Sequence, residues 1–198
     1  INFHYGFIGI MPLDNTVLYN GGYRVLNGYI PFTDYWLVTG PLLDYLNAFF
    51  FYILGVSWKT FIIHSSLFNL IFSLSSYYLF LKLGHSIRYA FFYSILISIL
   101  FYPTVGTPFV DHHSTFFLVL AFYSFILGVN NKNYLYFSII PFLFCLSFLS
   151  KQTPAAYGAI SLGLLILAYI YFVETKVRQI FIYLIGGIIV SIFFLILF

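Results

Sequence analysis

From residue 58 onward the chain alternates long apolar runs with short polar interruptions. Runs at 58–81, 89–102, 114–129, 134–149, 155–173 and 180–198 are broken by "KLGHSIR", a segment after Pro103, "NNKN", "SKQTP" and "ETKVRQ". About 20 apolar residues carry a helix across roughly 30 Å of hydrocarbon, so the pattern predicts about six membrane helices, the second somewhat short. Pro141 falls inside the fourth run and costs one helix hydrogen bond, which a packed bundle tolerates. The serines of "HSSLFNLIFSLSS" read as helix-packing residues.

Residues 1–57 are patterned differently. "FHYGFIGIMPL" reads as the outer end of a membrane helix, followed by a polar, Gly- and Pro-bearing stretch. The run "LLDYLNAFFFYILGVSW" (42–58) starts after Pro41 and has Gly55 near its end. Asp44 and Asn47 are expensive in hydrocarbon, and the run is short for a span, so it is expected to lie at the interface. The expected fold is all-α. It is a polytopic transmembrane helix bundle with an external first loop carrying interfacial helices, one membrane domain that reads as part of a longer protein.

Composition fixes the solvent. Only 7% of residues are charged and 62% are hydrophobic, against about 25% charged in soluble domains. Lipid is the only environment that suits such a surface. The net charge of +3 is spread thinly, which argues against nucleic acid as a partner. The single cysteine, Cys145, lies in an apolar run and reads as a small core residue.

Charge placement sets the expected orientation. Strict alternation gathers Lys82, Arg88, Lys132, Lys176 and Arg178 on one side, which the positive-inside rule makes cytoplasmic. Asp14, Asp34, Asp44 and Asp111 fall on the opposite side with Arg24, Lys59 and Lys151. Three polar segments therefore meet there: the first loop with Asp14, Arg24 and Asp34, the "DHH" segment with Asp111, His112 and His113, and the Lys151–Gln152 junction. A carboxylate can take a proton from a polar acceptor, and Lys or Arg can hold a phosphate. Each residue also has a plainer role. Asp14 could cap a helix, Asp34 could order a turn, Asp44 could be an ordinary interfacial residue, and Lys151 could extend to the interface. Two adjacent histidines beside a carboxylate are compatible with a divalent cation, although helix capping or acceptor and phosphate binding suits them better. His4, His64 and His85 show no partner pattern and read as structural.

The stretch "DNTVLYNGGYRVLNGYIPFTDYWLVTGPLLDYLNAFFFYILG" (14–55) resembles the first external loop of the C-type integral-membrane glycosyltransferases. The similarity is to the bacterial and archaeal branch related to protein O-mannosyltransferases and lipid A aminoarabinose transferases. It rests on Gly28, Pro31, Phe32, Asp34 and Tyr35, then Gly40, Pro41, Leu42, Tyr45, Leu46 and Gly55. The resemblance implies transfer of a sugar from a polyprenyl-phosphate donor to a glycan, lipid or protein acceptor. It implies an active site on the external face of a bacterial or archaeal cell membrane. It also implies that Asp14 is the catalytic carboxylate, with Asp34 a loop organiser or second acid. Arg24, Asp111, His112, His113, Lys151 and Gln152 are then expected at the substrate. Many relatives carry a second acid where this chain has Asn15, which weakens a metal-binding acidic pair. The rival expectations are a polyprenyl-lipid-binding scaffold and a lipid-linked sugar transporter. A transporter would place ionisable groups inside the spans, and these runs are nearly free of them.

Overall fold

A computed structural model describes residues 2–101, 103–173 and 176–197. Among them the chain is all-α: α1 (Asn2–Tyr5), α2 (Pro12–Leu26), α3 (Leu42–Leu54), α4 (Trp58–Lys82), α5 (Ile87–Leu100), α6 (Val110–Asn131), α7 (Leu135–Ser150), α8 (Gln152–Phe172) and α9 (Val177–Leu197), with a 3-10 turn at Thr104–Gly106. The expected helix ends at Tyr102 and Phe198 lie outside the described residues.

Six helices follow Ser57, as the apolar runs predict, but they are unequal. The segments Val110–Asn131, Gln152–Phe172 and Val177–Ile196 are each long and apolar enough to cross a membrane. A fourth candidate needs α3 and α4 together, and these are bent by 118° across Gly55–Ser57. Polar residues lower the hydropathy of α4. They are used between helices: Asn69 Nδ2 donates to Ser98 O (3.1 Å), Ser73 Oγ to Ser94 O (2.9 Å), and Ser76 Oγ meets the Tyr123 hydroxyl (2.9 Å). α5 and α7 have 14 and 16 residues, only about 21 and 24 Å of helix at 1.5 Å per residue. The chain is a multi-pass membrane protein.

α6 is central. Its Phe116, Phe117 and Ala121 pack with Phe68 and Phe72 of α4, Phe137 and Ile140 of α7, and Leu162 of α8. Outward, α5, α8 and α9 present exposed Phe92, Leu100, Leu164, Ile189 and Ile196, the apolar surface a lipid-facing helix needs.

The helices alternate in direction, so charge separates along the bundle. Lys82, Arg88, Lys132, Lys176 and Arg178 fall at one end, where Asn130 Nδ2 ties the α6 terminus to Lys82 O (3.0 Å). The four aspartates fall at the other.

At the aspartate end, α2 and α3 form a layer over the bundle. The segment before Asp14 differs from expectation. Among the described residues before Pro12 only Asn2–Tyr5 is helical, and Asp14 lies in the first turn of a separate helix that starts at Pro12. Asn15, the departure from the two-acid pattern, is fully buried. It accepts from Met11 N (2.8 Å) and donates to Thr107 Oγ1 (2.6 Å), so an amide with both a donor and an acceptor is what this position uses.

Candidate functional site

α2 presents Asp14, Val17, Leu18, Gly21 and Arg24 along one face, at the three-and-four spacing that aligns residues on a helix. These residues line one side of a cavity of about 570 Å³. The segment from Tyr35 to Thr39 forms a second wall, and the start of α6 (Phe109, Val110, Asp111) with Lys151 closes the third. Three stretches far apart in sequence thus bring Asp14, Arg24, Asp111 and Lys151 to one space.

Lys151 owes its position to the break between α7 and α8. It is the one residue between the two helices, with an extended backbone (φ −157°, ψ 131°). Its ammonium donates to both Asp111 oxygens at 2.7 and 2.8 Å. Both side chains stay partly exposed, 32% for Lys151 and 45% for Asp111, so the pair can open to a ligand. Asp14 differs: among the described residues its carboxylate has no hydrogen-bond or ion-pair partner. The only uncommitted carboxylate in the cavity therefore belongs to α2.

The wall at 35–41 is held tightly. Gly40 N–H donates to Ser150 O (3.3 Å), and a Cβ on Gly40 would fall on the Leu149 carbonyl. This contact docks the Gly40–Pro41 corner on the end of α7, next to Lys151. Beneath the cavity, the Tyr35 hydroxyl donates to Asp44 Oδ2 (2.8 Å), and the Arg24 guanidinium lies 5.1 Å from the centre of the Tyr35 ring. Asp44 is 2% exposed and packs where a Cβ on Gly21 would fall. Burial pushes its carboxyl up to about 6, opposed by the Tyr35 hydrogen bond and by Arg24. Burial and the Asp44 hydrogen bond push the Tyr35 phenol well up.

Asp34 does not line this cavity. Its Oδ2 accepts from Ile30 N (2.7 Å) and its N–H donates to Ile30 O (2.9 Å). It therefore closes the turn at 30–35, the organiser's role. It faces a neighbouring cavity of about 660 Å³ that shares Asn20, Arg24 and Tyr35 with the first. Gln152 is the exposed first residue of α8 and lines neither.

The two histidines expected on a loop are in the first turn of α6 and turn inward. His112 Nε2 meets Phe101 O (3.1 Å), and His113 is fully buried against Phe109 O and His64. The "DHHS" residues start a helix, so their side chains diverge by about 100° per residue. Only Asp111 of the three reaches the cavity. No group of three His, Cys, Asp or Glu that could hold a metal occurs among the described residues.

Asp44 and His64, read as an ordinary interfacial residue and a structural one, carry more of the local structure than expected. Asp44 and Asn47 stand three apart in the otherwise apolar α3. That same-face pair of polar residues is the signal that could have marked them. His64 had none, because its partner His113 is 49 residues away.

Fold and site define a polytopic helical membrane protein with a charged cavity at one end of the bundle. No known protein family, curated protein or solved structure matches the chain.

Proposed function

We propose that this protein is a glycosyltransferase that moves a sugar from a polyprenyl-phosphate donor to a glycan, lipid or protein acceptor at the non-cytoplasmic membrane face. The observation that carries the reading is that Asp14, without a partner, shares one cavity with Lys151 and Arg24. The resemblance of the first loop supplies the reaction class. The basic opposite end supplies the orientation, since basic loops stay in the cytoplasm.

In this reading the acceptor hydroxyl attacks the anomeric carbon as its proton passes to Asp14. The bond from that carbon to the donor phosphate breaks, and polyprenyl phosphate leaves with the electron pair. Lys151 and Arg24 stabilise the charge on the departing phosphate. Leu13, Val17, Trp36 and Val38 line the same cavity and are largely exposed, an apolar approach suited to the prenyl chain.

The test uses the protein in membranes with radiolabelled polyprenyl-phosphate sugars and an acceptor panel. Asp14→Asn is expected to lower transfer by about 10²- to 10⁴-fold, the usual worth of general-base catalysis, while donor binding persists. Full transfer by a folded Asp14→Asn protein would rule out Asp14 as the base. Donor binding with no transfer by the wild type would move the function to a lipid-binding scaffold.

A further inference from the structure

We propose that the cavity of about 660 Å³ beside the charged one binds a neutral saccharide, and that the acceptor is a glycan chain of at least two linked sugars. The saccharide site stands on its own lining, whereas its use as the acceptor site rests on the transfer reading above.

The local sequence builds this cavity. Asn20, Tyr23 and Arg24 recur at three-and-four spacing on α2, with Asn27 just beyond its end, so all four share a face. Gly28 then reverses the chain at φ +87°, a left-handed turn that glycine makes without steric cost. Its N–H donates to Val25 O (3.0 Å) and the Tyr29 N–H to Arg24 O (3.1 Å), the pairing that closes a helix end. The chain folds back, and Tyr29, Asp34 and Tyr35 become the facing wall.

The lining has the chemistry of a sugar site. Every lining side chain ends in a polar group, and none is aliphatic. A prenyl or acyl chain there would strip water from those groups and return no hydrogen bond. A sugar hydroxyl both donates and accepts, and the lining offers both roles. Asn27 Nδ2 donates to Tyr23 O (2.7 Å), and its Oδ1 stays open. Asp34 uses Oδ2 on Ile30 N, and its Oδ1 stays open. Among the described residues, the Asn20 amide and the Tyr23 and Tyr29 hydroxyls have no hydrogen-bond partner. Tyr23 and Tyr29 are each about half exposed, so their rings can also cover the apolar C–H face of a sugar. Arg24 and Asp34 cancel in charge, which suits a neutral ligand.

Geometry sets the ligand's length. The α2 residues of this cavity stand about 9 to 20 Å further along the helix axis than Asp14, at 1.5 Å per residue. One sugar ring cannot bridge from there to the carboxylate. The two cavities share Asn20, Arg24 and Tyr35, and a second sugar crossing this boundary carries the reacting hydroxyl toward Asp14. The polar cavity thus holds the unit behind the reacting one.

The test uses the protein in labelled lipid nanodiscs, which avoid sugar-headed detergents. These are applied to a printed array of neutral mono-, di- and trisaccharides of hexoses, N-acetylhexosamines, deoxyhexoses and pentoses, with peptides and phosphorylated sugars alongside. The expected result is retention on a neutral di- or trisaccharide, weakened about tenfold by Tyr29→Ala and by Asn20→Ala, the worth of one or two lost hydrogen bonds. Both residues are exposed and their side chains bond nothing in the fold, so both variants should keep the wild-type unfolding midpoint. No retention on any saccharide would overturn the proposal, as would retention that neither variant weakens, or stronger retention on peptides or phosphorylated sugars. Saccharide binding without transfer would sink the glycosyltransferase reading and leave the saccharide site standing. Transfer to a peptide or lipid, with no saccharide bound, would do the reverse.

Discussion

Asp44→Asn should make the protein more stable at neutral pH. Asp44 is buried, and its carboxyl stands at about 6 in the fold against an ordinary value of 3.8. Ionising it inside the fold therefore costs more than ionising it in the unfolded chain, by about 3 kcal/mol for that difference. The sign follows directly. Below the ordinary value both states are protonated and there is no penalty. As pH rises through about 6 the fold must bear the charge, so this group's contribution to stability is lost between about pH 4 and pH 7. Asparagine keeps an oxygen for the Tyr35 hydroxyl and carries no charge. Thermal unfolding in detergent should thus show a wild-type midpoint that falls over this range and an Asp44→Asn midpoint that falls less. The variant should be the more stable at neutral pH by up to about 3 kcal/mol. At roughly 2–4 °C per kcal/mol for a chain of this size, the difference is readily measured. Parallel pH curves for the two proteins would refute the reasoning, as would a variant less stable than wild type at neutral pH. Either result would mean that Arg24 and Tyr35 fully offset the burial of the charge.

Three further outcomes follow from the site. Lys151→Met should hardly change the unfolding midpoint, because a partly exposed ion pair is worth no more than about 1 kcal/mol. It should nevertheless abolish binding of a polyprenyl-phosphate probe in a flotation assay, with Lys151→Arg restoring part of it. Asn15→Asp should cost about 2–4 kcal/mol in thermal unfolding, since it buries a charge and removes the donor to Thr107. Gly40→Ala should detach the 35–41 wall from α7. Proteolysis confined to the first 57 residues, with the remaining helices protected, is the expected readout.

Much of this architecture is legible in the pattern of apolar runs, because in lipid a spanning backbone must satisfy itself as helix. The polar ends of the runs placed Asp14, Asp111 and Lys151 on one side, and the structure brings them to one cavity. Local geometry was harder to read. "DHHS" looks like a polar loop, yet it starts α6, and the helix turn sends His112 and His113 into the core while Asp111 alone reaches Lys151. Asp34 makes its bonds within four residues, so a turn reading was available from sequence. The Asp44–Asn47 pair stands out on apolar α3, but the partners of Asp44 and His64, namely Tyr35, Gly21 and His113, lie too far along the chain for a local pattern to name. The unequal spanning capacity of the helices comes from Ser, Asn and His, which lower the hydropathy of the 25-residue α4, and from the early ends of α5 and α7.

The short α5 has a mechanical consequence for the surrounding bilayer. It offers about 21 Å of helix with Phe91, Phe92 and Leu100 facing outward, whereas a typical hydrocarbon core is about 30 Å thick. Lipids along this flank must compress or tilt, while those beside the 21-residue α8 and α9 are nearly matched. The protein thus sits in an asymmetric collar, thin on one side and full on the other. The strain costs a fraction of a kcal/mol per ångström, enough to favour shorter-chain lipids along α5 and to bias the protein toward thinner membrane regions.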